Sequence, residues 1–329
     1  EQYSHNNEAP DDGGELIFAA IVGGFVVLGI LFRLTGFMSF GSPELSGAEN
    51  ISERHIGVLY IEGVIGDGDI YNHEYIIDAI DGMMENSRNR GMMLFIETPG
   101  GGVYESDEVY LKIREYQETT GRPVYAYLGS QATSGGYYIA AAADTIAANR
   151  NCWTGSIGVT IGTLYDISGL MERYGIKSAT ITSGRNKAMG DITVPLTEEQ
   201  RQILQSLVDE AYEQFIDVVA EGRSLEKDYV RSISDGRIYT ARQAQELMLV
   251  DDVVNTYDDA LEDMAQEFHL YDCAVYEFRY EPEYDILSSL IRSMDKMPDA
   301  SSGDIEALTE LIESNNELPL QYMCEVTKR

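Results

Sequence analysis

Met92 to Glu118 reads MMLFIETPGGGVYESDEVYLKIREYQE. A short apolar run, Met92–Glu97, breaks at a proline and three glycines and gives way to a helical pattern over 105–118. That order predicts a buried strand, a tight turn and a helix. The alternation recurs on both sides. His55–Ile61 is another short apolar run with a helical pattern over 74–86 behind it, and Pro123–Leu128 and Ile176–Thr182 read as further strands. Strands and helices alternating at this spacing predict βαβ units, a mostly parallel sheet and an α/β fold. A long helix is expected to open at Thr197, where Thr197 and Gln200 form a capping box, and to run to about Glu221. Its apolar positions, from Ile203 and Leu204 to Phe215 and Ile216, keep helical spacing.

Outward from this body the chain changes character. Leu16–Phe32 (LIFAAIVGGFVVLGILF) is apolar or glycine throughout. As a helix it spans about 25 Å, rising toward 30 Å if Leu34–Phe37 continue it. It has no polar face, no basic stretch before it and no A-x-A-like cleavage site after it. The sequence therefore divides into an acidic segment over 1–15, a transmembrane anchor over 16–37 and a Gly/Ser/Pro-rich linker over 38–53. The body fills 54–280, and an acidic tail over 281–329 contains one expected helix near 303–314. Residues 1–15 carry five acidic groups and no Lys or Arg, while Arg33 and Arg54 follow the apolar stretch. Charge alone then places the body in the cytoplasm.

The chain has 329 residues, 23 Lys+Arg against 56 Asp+Glu, and a formal net charge of −33. Such a surface cannot neutralise a row of phosphates, which excludes nucleic-acid binding. An apolar content of 44% excludes a disordered acidic chain. Cys152, Cys273 and Cys324 are odd in number and widely spaced, giving neither a disulfide framework nor a zinc pattern.

Three glycine-rich stretches follow apolar strands. In Glu97-Thr98-Pro99-Gly100-Gly101-Gly102 successive glycines let backbone amides approach a ligand, though an ordinary βα turn reads the same way. Gln131-Ala132-Thr133-Ser134-Gly135-Gly136 places a hydroxyl before the helix-forming run Ile139–Ala143. Free amides there favour developing negative charge, but serine is also a favoured N-cap. Neither Ser134 nor Ser156, in Thr154-Gly155-Ser156-Ile157-Gly158, has the glycine two residues earlier that a G-x-S-x-G elbow needs. A nucleophilic Ser134 requires a base, and none of His5, His55, His73 or His269 is well set. A desolvated lysine can serve. Lys187, in a Gly184-to-Gly190 loop after Ile176–Thr182, is the candidate, and Lys177 its nearest competitor. Taken singly, a solvated surface lysine is the plainer reading of either.

Six pieces in one order carry a resemblance: Gly57–Gly63, Pro99–Ser106, Ser134–Asp144, Thr154–Val159, Ser183–Lys187 and Gly236–Val250. Together, over roughly 55–255, they resemble the signal peptide peptidase A family. That resemblance implies the Clp-protease/crotonase superfold, a βαβ superhelix, and a Ser–Lys dyad. Carried over, the nucleophile falls on Ser134 and the general base on Lys187. The oxyanion hole falls on the amide of Gly135 and that of Gly101 or Gly102. The family often has Asn-Ser where this chain has Glu97-Thr98, a position that supports the loop. It often has an acidic residue after the lysine, where this chain has Ala188. The resemblance also implies a single-pass membrane protein with its catalytic domain outside the cytoplasm, against the charge rule, and assembly into homo-oligomeric rings. Its partners would be membrane lipid and peptide substrates, remnant signal peptides above all, with no metal or cofactor.

The leading reading is a serine endopeptidase cleaving apolar peptides through an acyl-enzyme. A crotonase-type acyl-CoA enzyme would share the paired amides but need acidic catalytic residues, and this charge would repel CoA phosphates. A membrane-tethered scaffold without activity is the third reading. It gains if Lys187 is exposed and far from Ser134.

Overall fold

Side chains alternate along the first two strands, and the alternation feeds two cores. In the computed structural model, β1 (His55–Ile65) pairs in parallel with β2 (Asn89–Gly102). Leu59, Ile61, Met92, Leu94 and Ile96 enter the larger cluster on one face of the sheet. Ile56, Val58 and Met93 enter the smaller cluster on the other. Strands buried on both faces read as continuous apolar runs, which is why Met92–Ile96 has no polar side.

The structure describes residues 47–66, 70–282 and 321–323. The chain divides into two units after Glu44, and the sheet belongs to the second, Leu45–Arg329. The anchor over 16–37 and the helix near 303–314 lie outside the described residues. Among the described residues no helix is long and apolar enough to cross a membrane.

β1 leads through α1 (His73–Glu85) to β2, and β2 through α2 (Val103–Thr120) to β3 (Val124–Thr133). α3 (Gly135–Ala140) follows, then β4 (Thr145–Asn149) and β5 (Trp153–Gly155). After α4 (Ser168–Tyr174) come α5 (Glu198–Gly222), α6 (Lys227–Ile233), β6 (Ile238–Thr240), α7 (Ala241–Glu246), β7 (Asp252–Val254), α8 (Tyr257–Glu267) and β8 (Ala274–Phe278). A last strand, β9, is Gln321–Met323. The sheet runs β6-β5-β3-β2-β1-β8, with β4 on β3, β7 on β4 and β9 on β2. Its pairings are parallel except β5–β6 and β2–β9. This mixed α/β sheet fits the superfold that the resemblance implied.

The Thr197/Gln200 capping box forms at the start of α5, both of its bonds present. One expected strand does not form. Ile176–Thr182 is irregular and exposed, with Ile181 98% accessible, and no described strand pairs with it. Its apolar residues resemble a strand, but a strand needs a ladder partner, and here the chain has left the sheet.

Candidate active site

β3 and β5 meet where the chain leaves the sheet. Thr133 pairs with Gly155 at the end of the ladder, and the next residue, Ser134, turns into α3. Ser134 has φ 57° and ψ −116°. A non-glycine residue held there costs on the order of 1–3 kcal/mol and persists only where its surroundings enforce it. The surroundings are visible. The Ser134 N–H donates to the Gly155 carbonyl at 2.8 Å, and its carbonyl accepts from Tyr138 N–H at 2.9 Å. Deeper in, the Tyr138 hydroxyl donates to Asp107 at 2.6 Å and accepts from Gln214 at 2.9 Å, tying α3 to α2 and α5.

The side chain of Ser134 is buried, and its Oγ has no partner among the described residues. It makes no capping bond to α3. The bland N-cap reading is therefore not met. A serine on a strained strand-to-helix turn with its hydroxyl unused is the arrangement that suits a nucleophile.

The glycine strand lies alongside. A Cβ on Gly101 would stand 2.0 Å from the Ile65 carbonyl oxygen, so only glycine fits there. A Cβ on Gly135 would stand 3.3 Å from the Gly101 amide nitrogen and 2.5 Å from Ser106 Oγ. Gly101, Gly135 and Ser134 thus share one corner of the sheet. Gly102 is placed differently: its carbonyl accepts from Ser106 Oγ at 2.7 Å, and a Cβ there would run into the Glu105 carboxylate. β9 pairs antiparallel along the same strand, Gly100 with Met323, Gly101 with Tyr322 and Gly102 with Gln321.

Lys187 differs from Ser134 in burial. It is exposed, and so is Lys177. The Lys187 N–H closes a turn on the Gly184 carbonyl at 3.2 Å, while its ammonium has no ion-pair or hydrogen-bond partner among the described residues. The expectation of a lysine buried beside a strand is corrected on both counts: no described strand forms over Ile176–Thr182, and Lys187 is exposed among the described residues. Two of the histidines are engaged elsewhere, His73 with Glu108 at 2.7 Å and His55 with the Glu53 carbonyl at 3.0 Å.

One strained serine has a neighbour of the same kind. Ser156 has φ 50°, is buried, and donates its N–H to the Arg237 carbonyl at 2.8 Å. It borders a cavity of about 450 Å³ walled by Val159, Val208, Tyr212 and Asp209. Sequence reasoning took Glu97-Thr98 only as a loop-supporting position, without the bonds its hydroxyl makes, and missed the hydroxyls of Ser106 and Thr133 around the corner. A threonine directly before Pro-Gly invites a side-chain-to-backbone bond, which was the available signal.

The fold and this corner define a class: an α/β protein whose sheet ends in a strained, buried serine beside glycine amides. The model for peptidase family S49 matches residues 116–270. A protein of Enterococcus faecium named for signal peptide peptidase SppA is 36% identical over 259 residues, covering 75% of this chain and 74% of the relative. A protein of Methanocaldococcus jannaschii named as a protease is 31% identical over 260 residues, 78% of this chain and 82% of its own. Another, from Synechocystis and also named as a protease, is 34% identical over 209 residues, 64% and 73% respectively. The chain belongs to peptidase family S49, the signal peptide peptidase A family of serine peptidases.

Proposed function

We propose that the protein is a membrane-anchored endopeptidase that cleaves extended apolar peptides, remnant signal peptides among them, through an acyl-enzyme on Ser134. The observation that carries this is the strained, buried Ser134 with an unused Oγ beside the Gly101 and Gly135 amides. Ser134 attacks the scissile carbonyl. Its proton passes to Lys187 and from there to the leaving amine, while the Gly101 and Gly135 amides hold the oxyanion. Gly101 is preferred to Gly102 because its nitrogen stands beside Gly135. Peptide substrate is supported by β9, an extended segment of this chain already paired antiparallel along Gly100–Gly102. A substrate strand added to the same edge gains main-chain hydrogen bonds whatever its side chains.

The exposed Lys187 favours a second reading, the inactive scaffold. Assembly reconciles it with catalysis. Residues 160–190 are almost wholly unburied in one chain, and Tyr165, Leu170, Tyr174, Ile176 and Ile181 are all exposed there. A homo-oligomeric ring would cover this apolar segment and desolvate Lys187, lowering its proton affinity. The anchor over 16–37 would hold the ring on the membrane with the catalytic body outside the cytoplasm.

The test is turnover of an apolar peptide by Ser134→Ala, Lys187→Ala and Lys187→Arg in the full chain, with molar mass from sedimentation. A peptidase loses turnover in all three, because guanidinium stays protonated and cannot act as base. Turnover unchanged in the Lys187 variants refutes the dyad. A wild-type chain without turnover in its assembled form supports the scaffold.

A further inference from the structure

We propose that Thr98 is a positioning residue for the peptidase chemistry, its hydroxyl and methyl together holding the glycine strand against the nucleophile turn. The inference rests on Ser134 being the nucleophile. It starts from a break in the ladder. β1 and β2 pair Glu62 with Glu97 and then Val64 with Gly100, so one residue, Gly63, faces two, Thr98 and Pro99. Such a bulge leaves backbone groups without ladder partners, and buried ones must find others.

Thr98 Oγ1 supplies them. It donates to the Gly63 carbonyl and accepts the Gly100 N–H at 3.0 Å. Pro99 has no N–H to satisfy, and its carbonyl accepts from Thr133 Oγ1 at 3.1 Å. Thr133 is the residue before Ser134. The peptide groups leading into Gly101 are therefore fixed by two side-chain hydroxyls, one of them bonded in sequence to the nucleophile.

The methyl acts on the other side. Thr98 Cγ2 lies 2.5 Å from where a Cβ on Gly136 would stand, so it rests on the backbone of the first turn of α3. One residue thus touches both halves of the corner, the strand that aims the Gly101 amide and the turn that aims Ser134. Thr98 is 1% exposed, which keeps it from touching a peptide lying on the strand. Its effect passes through Gly100 and Gly136. Productive geometry tolerates errors of about 0.5 Å, and losing an oxyanion donor outright costs about 10²–10³ in kcat. Loosening one is expected to cost part of that.

The test compares Thr98→Val, Thr98→Ser, Thr133→Val and Ser134→Ala in the full chain, with kcat and KM measured separately on one apolar peptide. Thr98→Val keeps the shape and loses the hydroxyl. It should lower kcat roughly 10–100-fold while KM stays within about twofold. Thr98→Ser, which keeps the hydroxyl bonds and loses only the methyl contact with Gly136, should return kcat to within about threefold of wild type, a rescue that a merely structural role for the hydroxyl would not confine to kcat. A Thr98→Val protein with wild-type kcat, or a Thr98→Ser protein as slow as Thr98→Val, overturns the proposal. Should Thr98→Val fail to fold, Thr133→Val decides: reduced kcat at unchanged KM supports the clamp, and wild-type kcat overturns it. An active Ser134→Ala would sink the nucleophile reading itself. An inactive Ser134→Ala beside a fully active Thr98→Val sinks only the role of Thr98.

Discussion

Two loops carry the proposed chemistry, and the fold treats them in opposite ways. The turn at Ser134 is buried and strained, held by Gly155 and Tyr138 and backed by a glycine strand with no room for a methyl group. The loop at Lys187 is exposed, irregular and tied mainly by local turns. Strain persists only where packing over-determines it, so the serine half of the site is complete in one chain. Lys187, the proposed base, is exposed among the described residues. The contrast teaches that burial is already present at Ser134 and not at Lys187, and assembly of further copies is the proposal made above for how the lysine would be covered.

The sharpest way to break the comparison is at its two chemical ends. Ser134→Ala should cost about 10⁴-fold or more in kcat, since it removes the proposed nucleophile, while melting stays close to wild type. Lys187→Ala should lose comparable turnover with an unchanged melting temperature, because the side chain is exposed. If Lys187→Ala also unfolds the protein, the loop is anchored and the contrast between the two halves fails.

Stability should separate the regions next. Gly101→Ala forces a methyl to 2.0 Å from the Ile65 carbonyl oxygen, a backbone atom that cannot step aside. Overpacking of this kind should cost about 3 kcal/mol or more, read by chemical denaturation. A chain ending at Leu320 would lack β9 and free the Gly100–Gly102 edge. It should bind short peptides with a lower KM at similar kcat, since nothing then competes for the strand.

A smaller effect follows pH. His55 is buried, and desolvation holds its pKa below the usual value. The unfolded chain takes up a proton near pH 6.5, and the folded one refuses it until its own lower pKa is reached. Stability should thus be full above about pH 6.5 and fall as pH drops toward that lower pKa, by less than about 1.4 kcal/mol per pH unit. His55→Gln should flatten this limb in denaturation curves at successive pH values. Smallest of all, Ile181→Ala removes a side chain that is 98% exposed and should shift single-chain stability by less than about 0.5 kcal/mol.

Much of the serine half was legible in the sequence. The apolar runs at His55–Ile61, Met92–Glu97 and Pro123–Leu128 fall on β1, β2 and β3, because strands buried on both faces leave an unbroken apolar trace. Ser134 with its two glycines marked the turn, and Thr197 with Gln200 marked the start of α5 to the residue. What failed depends on partners that no local pattern encodes. Ile176–Thr182 has strand-like residues, yet whether a neighbouring strand exists is a fact of the whole sheet. The role of Thr98 depends on a register shift between β1 and β2, and β9 is three residues long in an acidic tail. Exposure of Lys187 was the plainer reading of that residue taken singly, but the sequence could not decide it, since burial is a property of surroundings.

The most direct measurement of the central claim uses the presence of two strained, buried serines in the same region, Ser134 and Ser156. A fluorophosphonate reacts with a serine only where a base and an oxyanion site activate it. The full-length wild-type protein, labelled and mapped by peptide mass spectrometry, is expected to carry the adduct on Ser134 alone. Labelling should vanish in Ser134→Ala and weaken in Lys187→Ala. An adduct on Ser156 with Ser134 unmodified, or labelling undiminished in Ser134→Ala, would contradict it.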